Sequence, residues 1–262
     1  MVRSDFTLGS CSFQHDWSDL TASLKLKERP FPIHRLDKPT TGALILARTP
    51  QFARSLSQQI KSHTLQKTYL ALVRRAFSPG ESGEVCQRLY ITDGRVSTHM
   101  IDPSMDRDAP AEARETLTTW KCVGTSGEIS LLELGLCTGV KHQLRVVCAS
   151  VLDGDRVHGS PNLVNHPDAP KDLPHHLFLH SARVSITRYL RKALNGRREY
   201  RLHIVAPLPA DFVSACARLG ISVDSTWTPD YTRISVDKTE VPFTYEEFRE
   251  EDIALALKSA ER

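Results

Sequence analysis

The stretch from Phe31 to Arg74 constrains this 262-residue chain most, because four structural signals follow one another there without a gap. FPIHRLDKP is charged and turn-forming, and the apolar run behind it, TTGALILAR, has the length of a strand. A short apolar run bounded by turn residues reads as a buried strand, here over Gly42–Arg48. Thr49-Pro50 then supplies a cap and a proline at the first helical position, where its missing N–H is no loss. The helix it opens is predicted to run through about Ser62, with Phe52, Leu56 and Ile60 on one stripe. QKTYLALVR, residues 66–74, is rich in strand formers, and alternation puts Lys67, Tyr69, Ala71 and Val73 on one face.

One carboxylate, Asp37, sits between Arg35 and Lys38 just ahead of the apolar run. Its position allows two readings: a turn-forming aspartate before a strand, or a reactive carboxylate at a loop-to-strand junction.

Further along, residues 76–113 carry turn signals at Ser78-Pro79-Gly80 and Asp93-Gly94 and a polar stretch, DPSMDRDAPAEA, which predict a hairpin or two and a mobile loop. Residues 114–123 and 129–136 read as a strand pair around Gly124–Glu128. CTGVKHQLRVVCASVLDG, residues 137–154, carries a helical stripe of Leu144, Val147 and Val151, with Gly154 as its stop. That reading puts His142 and Arg145 on one side of the helix. Strands are predicted over 177–187 and 199–207, a short helix over 209–219, and a terminal helix over 245–258. Strands dominate and helices fall between them irregularly, which points to an α+β fold.

No apolar run approaches the ~20 residues needed to span a bilayer, and the N-terminus lacks both the apolar core of a secretory signal and the pattern of a transit peptide. The six cysteines form no CxxC and mostly sit in apolar segments, so they read as reduced, buried thiols of an intracellular protein. From Asp230 onward there are nine acidic and five basic residues; of 34 basic and 31 acidic in all, 29 and 22 remain in residues 1–229, a net +7. A basic body with an acidic tail suits a polyanionic partner, and nucleic acid is the obvious one.

HRLDKPTTG, KTYLALV and CTGVKHQLRV, in this order and spacing, resemble the RluA-type family of RNA pseudouridine synthases. LPHHLFLHSARVSIT and APLPADF resemble later segments of the same family, so the likeness covers roughly residues 30–222. The resemblance implies the pseudouridine-synthase catalytic fold, a largely antiparallel mixed sheet with flanking helices and an active-site cleft. It divides the chain into a diverged or truncated N-terminal segment (1–29), a catalytic domain (30–222) and an acidic C-terminal tail with a helix (223–262).

The implied reaction cleaves the N-glycosidic bond of a uridine, turns the base and rejoins it through carbon, with no cofactor and no metal. The implied catalytic residues are Asp37, as nucleophile or as stabiliser of the intermediate, Tyr69, stacked on the target uracil, and Arg145, the cation paired with Asp37. A carboxylate in a pocket needs such a partner: at ~4 Å and an effective dielectric near 20, an ion pair is worth roughly 4 kcal/mol. Arg35 is implied in handling the flipped nucleotide, Lys67 in supporting Asp37 or a phosphate, and Arg74, Lys141, His142 and Gln143 in binding substrate. His175, His176 and His180 lack the accompanying carboxylates or cysteines of a metal site.

The chain departs from the family pattern at Val140, where the family has arginine, at Val147, where it often has histidine, at Gly159-Ser160, and in lacking an N-terminal motif of the family. Two functions therefore stand side by side: an isomerase acting on rRNA or tRNA, and a catalytically weak RNA-binding ribosome-assembly factor whose acidic tail docks a protein partner. A carbohydrate-active enzyme would need a second acid beside Asp37, which is lacking. TGVKHQLRV is close to mitochondrial eukaryotic members, and so implies that compartment.

Overall fold

A computed structural model of the chain describes residues 2–3, 21–22, 26–37, 40–92, 95–99, 112–150, 177–194, 196–229, 233–237 and 239–241. Residues 102–111 of the expected polar loop, the helix stop at Gly154, the Gly159-Ser160 departure, His175, His176 and the terminal helix over 245–258 lie outside these residues. The chain forms two compact units. The first comprises Met1–Lys67, Ser181–Leu208 and Ser225–Arg262; the second comprises Thr68–His180 and Pro209–Asp224.

In the first unit, β1 (Val2–Arg3), β4 (Leu44–Ala47) and β2 (Phe31–Pro32) form a small antiparallel sheet with β4 in the middle. The apolar run read as one strand is thus split, because Thr41–Gly42 forms a separate strand, β3, that pairs with β10 (Leu179–Leu194). Strand β10 also pairs with β11 (Arg197–Val205), followed by β12 (Arg233–Val236) and β13 (Thr239–Val241), all antiparallel. The strands after residue 223 therefore extend the sheet of this unit. Helix α1 (Pro50–Lys61) starts as expected: the Thr49 hydroxyl accepts the Phe52 N–H at 3.3 Å, and Pro50 follows it.

The core of this unit joins Ala43, Ile45 and Ala47 to Leu56 of α1 and to Val184, Ile186, Tyr200, Leu202, Ile204, Ile234 and Val236 of the sheet. Of the expected stripe on α1, Leu56 is 4% exposed and Ile60 packs against this core, but Phe52 is 43% exposed. The correction has a local cause: Arg188 lays its guanidinium over the Phe52 ring, 4.5 Å from its centroid, so the ring is covered by a cation rather than by the core. Gln59 does what periodicity could not show. Its Nε2 donates to the Thr187 carbonyl and its Oε1 accepts the Thr187 N–H, both at 2.9 Å, so one side chain replaces a strand neighbour at the edge of β10.

In the second unit, β5 (Gln66–Val73), β9 (Ile129–Leu136), β8 (Arg114–Ser126), β6 (Ser82–Thr92) and β7 (Arg95–His99) are neighbours in that order, all antiparallel. The first residues of β5 belong to the first unit and the rest to the second. Strands β6 and β7 pair up to Thr92 opposite Arg95, and the turn expected at Asp93-Gly94 lies outside the described residues. The pair β8 and β9 is longer than expected, because β8 passes through Gly124 with a register shift after Cys122 instead of turning there. Leu70, Leu72, Leu131, Leu132 and Leu134 fill the core, and Phe178 meets Phe212 of α3 (Ala210–Arg218) edge to face, with centroids 5.4 Å apart.

Five described cysteines are unpaired thiols. Cys122, Cys148 and Cys216 are buried, and burial pushes the Cys216 thiol up to about 12. Cys86 and Cys137 are exposed, which corrects the reading of every thiol as buried: Cys86 alternates with buried Gln87 on β6. Among the described residues, no helix is long and apolar enough to cross a membrane.

Candidate active site

The segment that carries Asp37 is held at both ends by backbone groups. At its start, Ile33 donates to the Ile45 carbonyl at 3.2 Å, and the Ile45 N–H returns to Nε2 of His34 at 3.0 Å. At its end, Thr40 donates to the Asp37 carbonyl at 2.8 Å, and Ala43 donates to the Ser181 carbonyl of β10 at 2.9 Å. Arg35 is exposed, while Asp37 keeps part of its surface in solvent. The first unit thus presents Asp37 on a turn fixed by main-chain bonds, with Arg35 beside it and Lys67 at the start of β5.

His34, in the middle of HRLD, has no role assigned from the sequence. Because its Nε2 accepts the Ile45 N–H as a hydrogen bond, the ring is neutral, and its pKa is lowered from 6.5 to about 4, first by burial and then by the Lys67 charge, with the Arg35 backbone acting the other way. The unfolded chain takes up a proton on this ring near pH 6.5, and the folded chain only near 4. The contribution of His34 to stability is therefore complete above pH 6.5 and is lost as the pH falls towards 4, about 3 kcal/mol in all. Urea unfolding at a series of pH values is expected to show this loss in wild type, and a shallower slope in His34→Gln, whose amide oxygen can still accept the Ile45 N–H. Parallel curves would remove His34 as the cause.

The second unit holds Tyr69, Arg74, Lys141, His142, Gln143 and Arg145. Tyr69 lies on β5 opposite Leu134 and is 5% exposed. Arg74 follows the end of β5 and is partly buried. Helix α2 (Gln143–Ser150) begins later than expected. His142 precedes it in a left-handed conformation, with φ of 56°, and its carbonyl receives the Val146 N–H at 2.9 Å. This corrects the placement of His142 and Arg145 along one side of a helix. Arg145, in the first turn, is 7% exposed, and Leu144, Val146, Val147, Cys148 and Ala149 are also buried, so α2 is enclosed by apolar packing around most of its girth. A buried guanidinium requires partners.

Gln143, expected to touch substrate, is 2% exposed, and its amide is used up inside the unit. Its Oε1 accepts from the Thr138 hydroxyl at 2.9 Å and the Val140 N–H at 3.1 Å; its Nε2 donates to the Leu117 carbonyl at 3.1 Å and Thr118 Oγ1 at 3.0 Å. Gln143 thus ties the Thr138–Val140 turn to β8 and sets the start of α2. The two departures on this segment are absorbed by packing: Val140 lies against Leu89, Val96 and Val146, and Val147 is fully buried. Among the described residues, no group of three or more His, Cys, Asp or Glu could hold a metal ion.

Comparison with known proteins gives these motifs a common origin. A family model described as RNA pseudouridylate synthase matches residues 9–150. An RNA pseudouridine synthase of Synechocystis, described as uncharacterized, is 31% identical over 190 residues, 71% of this chain and 52% of that protein. The tRNA pseudouridine synthase C of Haemophilus ducreyi is 34% identical over 127 residues, 46% of this chain and 51% of that protein. A mitochondrial pseudouridylate synthase of Danio rerio, RPUSD4, is 31% identical over 214 residues, 72% of this chain and 59% of the relative. The chain spans about half the length of these curated relatives. The solved structure of human RNA pseudouridylate synthase domain containing 4 has the same fold, with a TM-score of 0.60 at 22% identity, over 82% of this chain and 86% of that one. With its family match covering more than half of the sequence, the chain belongs to the RNA pseudouridylate synthase family.

Proposed function

We propose that this protein isomerises uridines in structured RNA, rRNA or tRNA, to pseudouridine, and that Asp37 is the group that engages the reacting nucleoside. The observation that carries the reading is the setting of Asp37, whose turn is fixed by backbone bonds on both sides while its side chain is not sealed from solvent. A catalytic group must be held in place and still be reachable, and main-chain anchoring of the turn meets both needs.

In the reaction the N1–C1′ bond of the uridine breaks and a C5–C1′ bond forms. The C5 hydrogen leaves as a proton and N1 gains one, so substrate and product are isomers. A carboxylate suits this exchange because it can add to an electrophilic carbon and leave again, or stabilise a cation by charge alone. Tyr69 and Arg145 serve the same reaction, as a ring that meets the uracil and a cation that keeps the carboxylate charged. Exposed Arg35 fills or braces the space left when the nucleotide leaves its stack, a step that costs a few kcal/mol. Arg74, Lys141 and His142 contact the RNA backbone, while Gln143 acts by positioning α2. The mitochondrial relatives support action in that compartment.

RNA labelled with tritium at uridine C5 tests the reading directly, since each isomerisation releases one tritium to water. Turnover is expected on mitochondrial or cytoplasmic rRNA or tRNA. Wild-type protein that releases none from any of these pools would show the reading to be wrong.

A further inference from the structure

The sheet of the first unit has two faces of opposite character. Val184, Ile186, Leu202, Ile204, Ile234 and Val236 point into the core that also takes Leu56 of α1. Alternation puts the residues between them on the other face. There the register sets Ser185, His203 and Ser235 side by side across β10, β11 and β12. On one side of that row stand Arg183, Val205 and Arg233; on the other, Thr187 and Arg201. Asp237 joins Arg201: its N–H donates to the Arg201 carbonyl at 2.9 Å, and its Oδ1 accepts the Arg201 N–H at 2.8 Å. His203 is thus the centre of a patch that carries three arginines and one aspartate.

The charges of the patch meet at the imidazole. Burial first, then Arg183 and Arg201, hold His203 below its usual pKa, with Asp237 acting the other way. The ring is therefore neutral at pH 7. Its Nδ1 meets the Ser185 hydroxyl at 2.7 Å. Ser185 is 3% exposed, and among the described residues its hydroxyl has no other partner. A buried hydroxyl proton left unmet is costly, so the hydroxyl donates to Nδ1 and the ring proton sits on Nε2. His203 is only half-buried, and Nε2 is not sealed from solvent.

The two arginines that act on the ring are oriented by uncharged groups. The Arg183 guanidinium lies over the Trp227 ring, 5.2 Å from its centroid, and Arg201 Nη2 donates to the Thr64 carbonyl at 2.8 Å. Neither contact supplies a counter-charge, and a guanidinium has further N–H donors to offer. Positive charges on neighbouring strands repel one another. A neutral N–H set between guanidinium groups suits an oxyanion, and a chain of phosphates brings negative charge to several rows of the sheet at once.

We infer that this face, with the Nε2–H of His203 and the guanidinium groups of Arg183 and Arg201 as donors, binds the phosphate backbone of RNA on the side of the sheet away from α1. The identity of the ligand rests on the isomerase reading. What the face adds is a contact without sequence preference: its donors meet phosphate and not base, so it positions the RNA and does not choose the uridine.

The test uses the full chain and three probes: an unmodified tRNA transcript, inorganic phosphate and polyglutamate. A tRNA transcript serves because phosphate contacts carry no sequence. The readout is the nitrogen resonance of His203 Nε2 in wild-type protein, which needs no variant to fold. The transcript is expected to shift it; phosphate at equal phosphate concentration and polyglutamate at equal charge are expected to leave it in place. Arg183→Gln and Arg201→Gln are each expected to weaken binding of the transcript about tenfold and to lower its salt slope by about one. Arg54→Gln removes the same charge from an exposed position on α1 and is expected to change neither.

A His203 resonance unmoved by the transcript overturns the inference. So does an equal loss of binding in Arg54→Gln, which would mean a general field, or an equal shift with polyglutamate, which would mean an acidic protein partner. Inorganic phosphate that matches the transcript would mean a free anion, and overturns it too. Wild-type protein that shows the shift but releases no tritium from RNA would sink the isomerase reading and leave this face standing. Tritium release with an unmoved His203 would do the reverse.

Discussion

Replacing Asp37 with alanine is expected to lower tritium release from C5-labelled RNA by on the order of 10⁴-fold, the scale seen when a reacting group is removed. The fold should survive. The turn at Asp37 is closed through its backbone carbonyl, which accepts the Thr40 N–H at 2.8 Å and which any residue can supply. Stability in urea is expected to change by no more than about 1 kcal/mol. Asp37→Asn separates charge from shape, because the amide fills the same volume and can neither add to carbon reversibly nor balance a cation. It should be as inactive as the alanine variant. Asp37→Glu keeps the charge but moves it by one methylene, and should retain a small residue of activity, because misplacement by about 1 Å costs on the order of 10²-fold. If any neutral variant kept activity within tenfold of wild type, Asp37 would be a turn residue and nothing more.

The largest stability effect is expected from Gly42→Ala. Gly42 has φ of +108°, a region that side chains with a Cβ rarely enter. It also lies against β10: a Cβ built there collides with the backbone carbonyl of Ser181 and would stand 2.7 Å from the Ser181 nitrogen. These are main-chain atoms of a paired strand and cannot swing away. The neighbouring bond from Ala43 N–H to the Ser181 carbonyl, at 2.9 Å, depends on the same close approach. Strain of this kind costs about 1–3 kcal/mol; with the collision added, a total loss of about 4 kcal/mol or failure to fold is expected. Gly80 is the control. It has φ of +85° with nothing within 4 Å of a built Cβ, so its alanine variant should lose only about 1 kcal/mol. If the two variants unfolded at the same urea concentration, the contact of Gly42 with β10 would carry no energy.

Gly42 also shows how far the sequence could be read. A glycine after Thr40-Thr41 was visible in HRLDKPTTG, and the Ser/Thr-Gly pair belonged to the resemblance. That it splits the apolar run into two strands, one pairing with β10, was not visible, because the partner lies about 140 residues away in the chain. The same holds for Gln59, whose helical position says nothing of Thr187. Phe52 fitted the stripe by spacing and is exposed all the same, since in the first turn of α1 a cation, not the core, meets the ring.

For the site, order and spacing of motifs were enough to name Asp37, Tyr69 and Arg145 as expectations and to identify the family, which the comparisons show. They were not enough to separate a group that faces substrate from one that faces its neighbours. Gln143 and His34 make the point from opposite sides. Gln143 looked available and has every amide hydrogen bond filled; His34 had no assigned role, and its ring holds the Ile45 N–H ahead of Asp37.

What the sequence determined by itself was local: which segments are strands, where α1 begins, and which residue types stand in the family's order. Those are set by backbone preference, capping and the alternation of apolar and polar side chains, all of which act over a few residues. Only the tertiary structure decided which polar groups are already satisfied. A hydrogen bond is made between atoms brought together by distant parts of the chain, and desolvation depends on everything around them. The amide at 143, tied to Leu117 and Thr118, and the imidazole at 34, tied to Ile45, are of that kind.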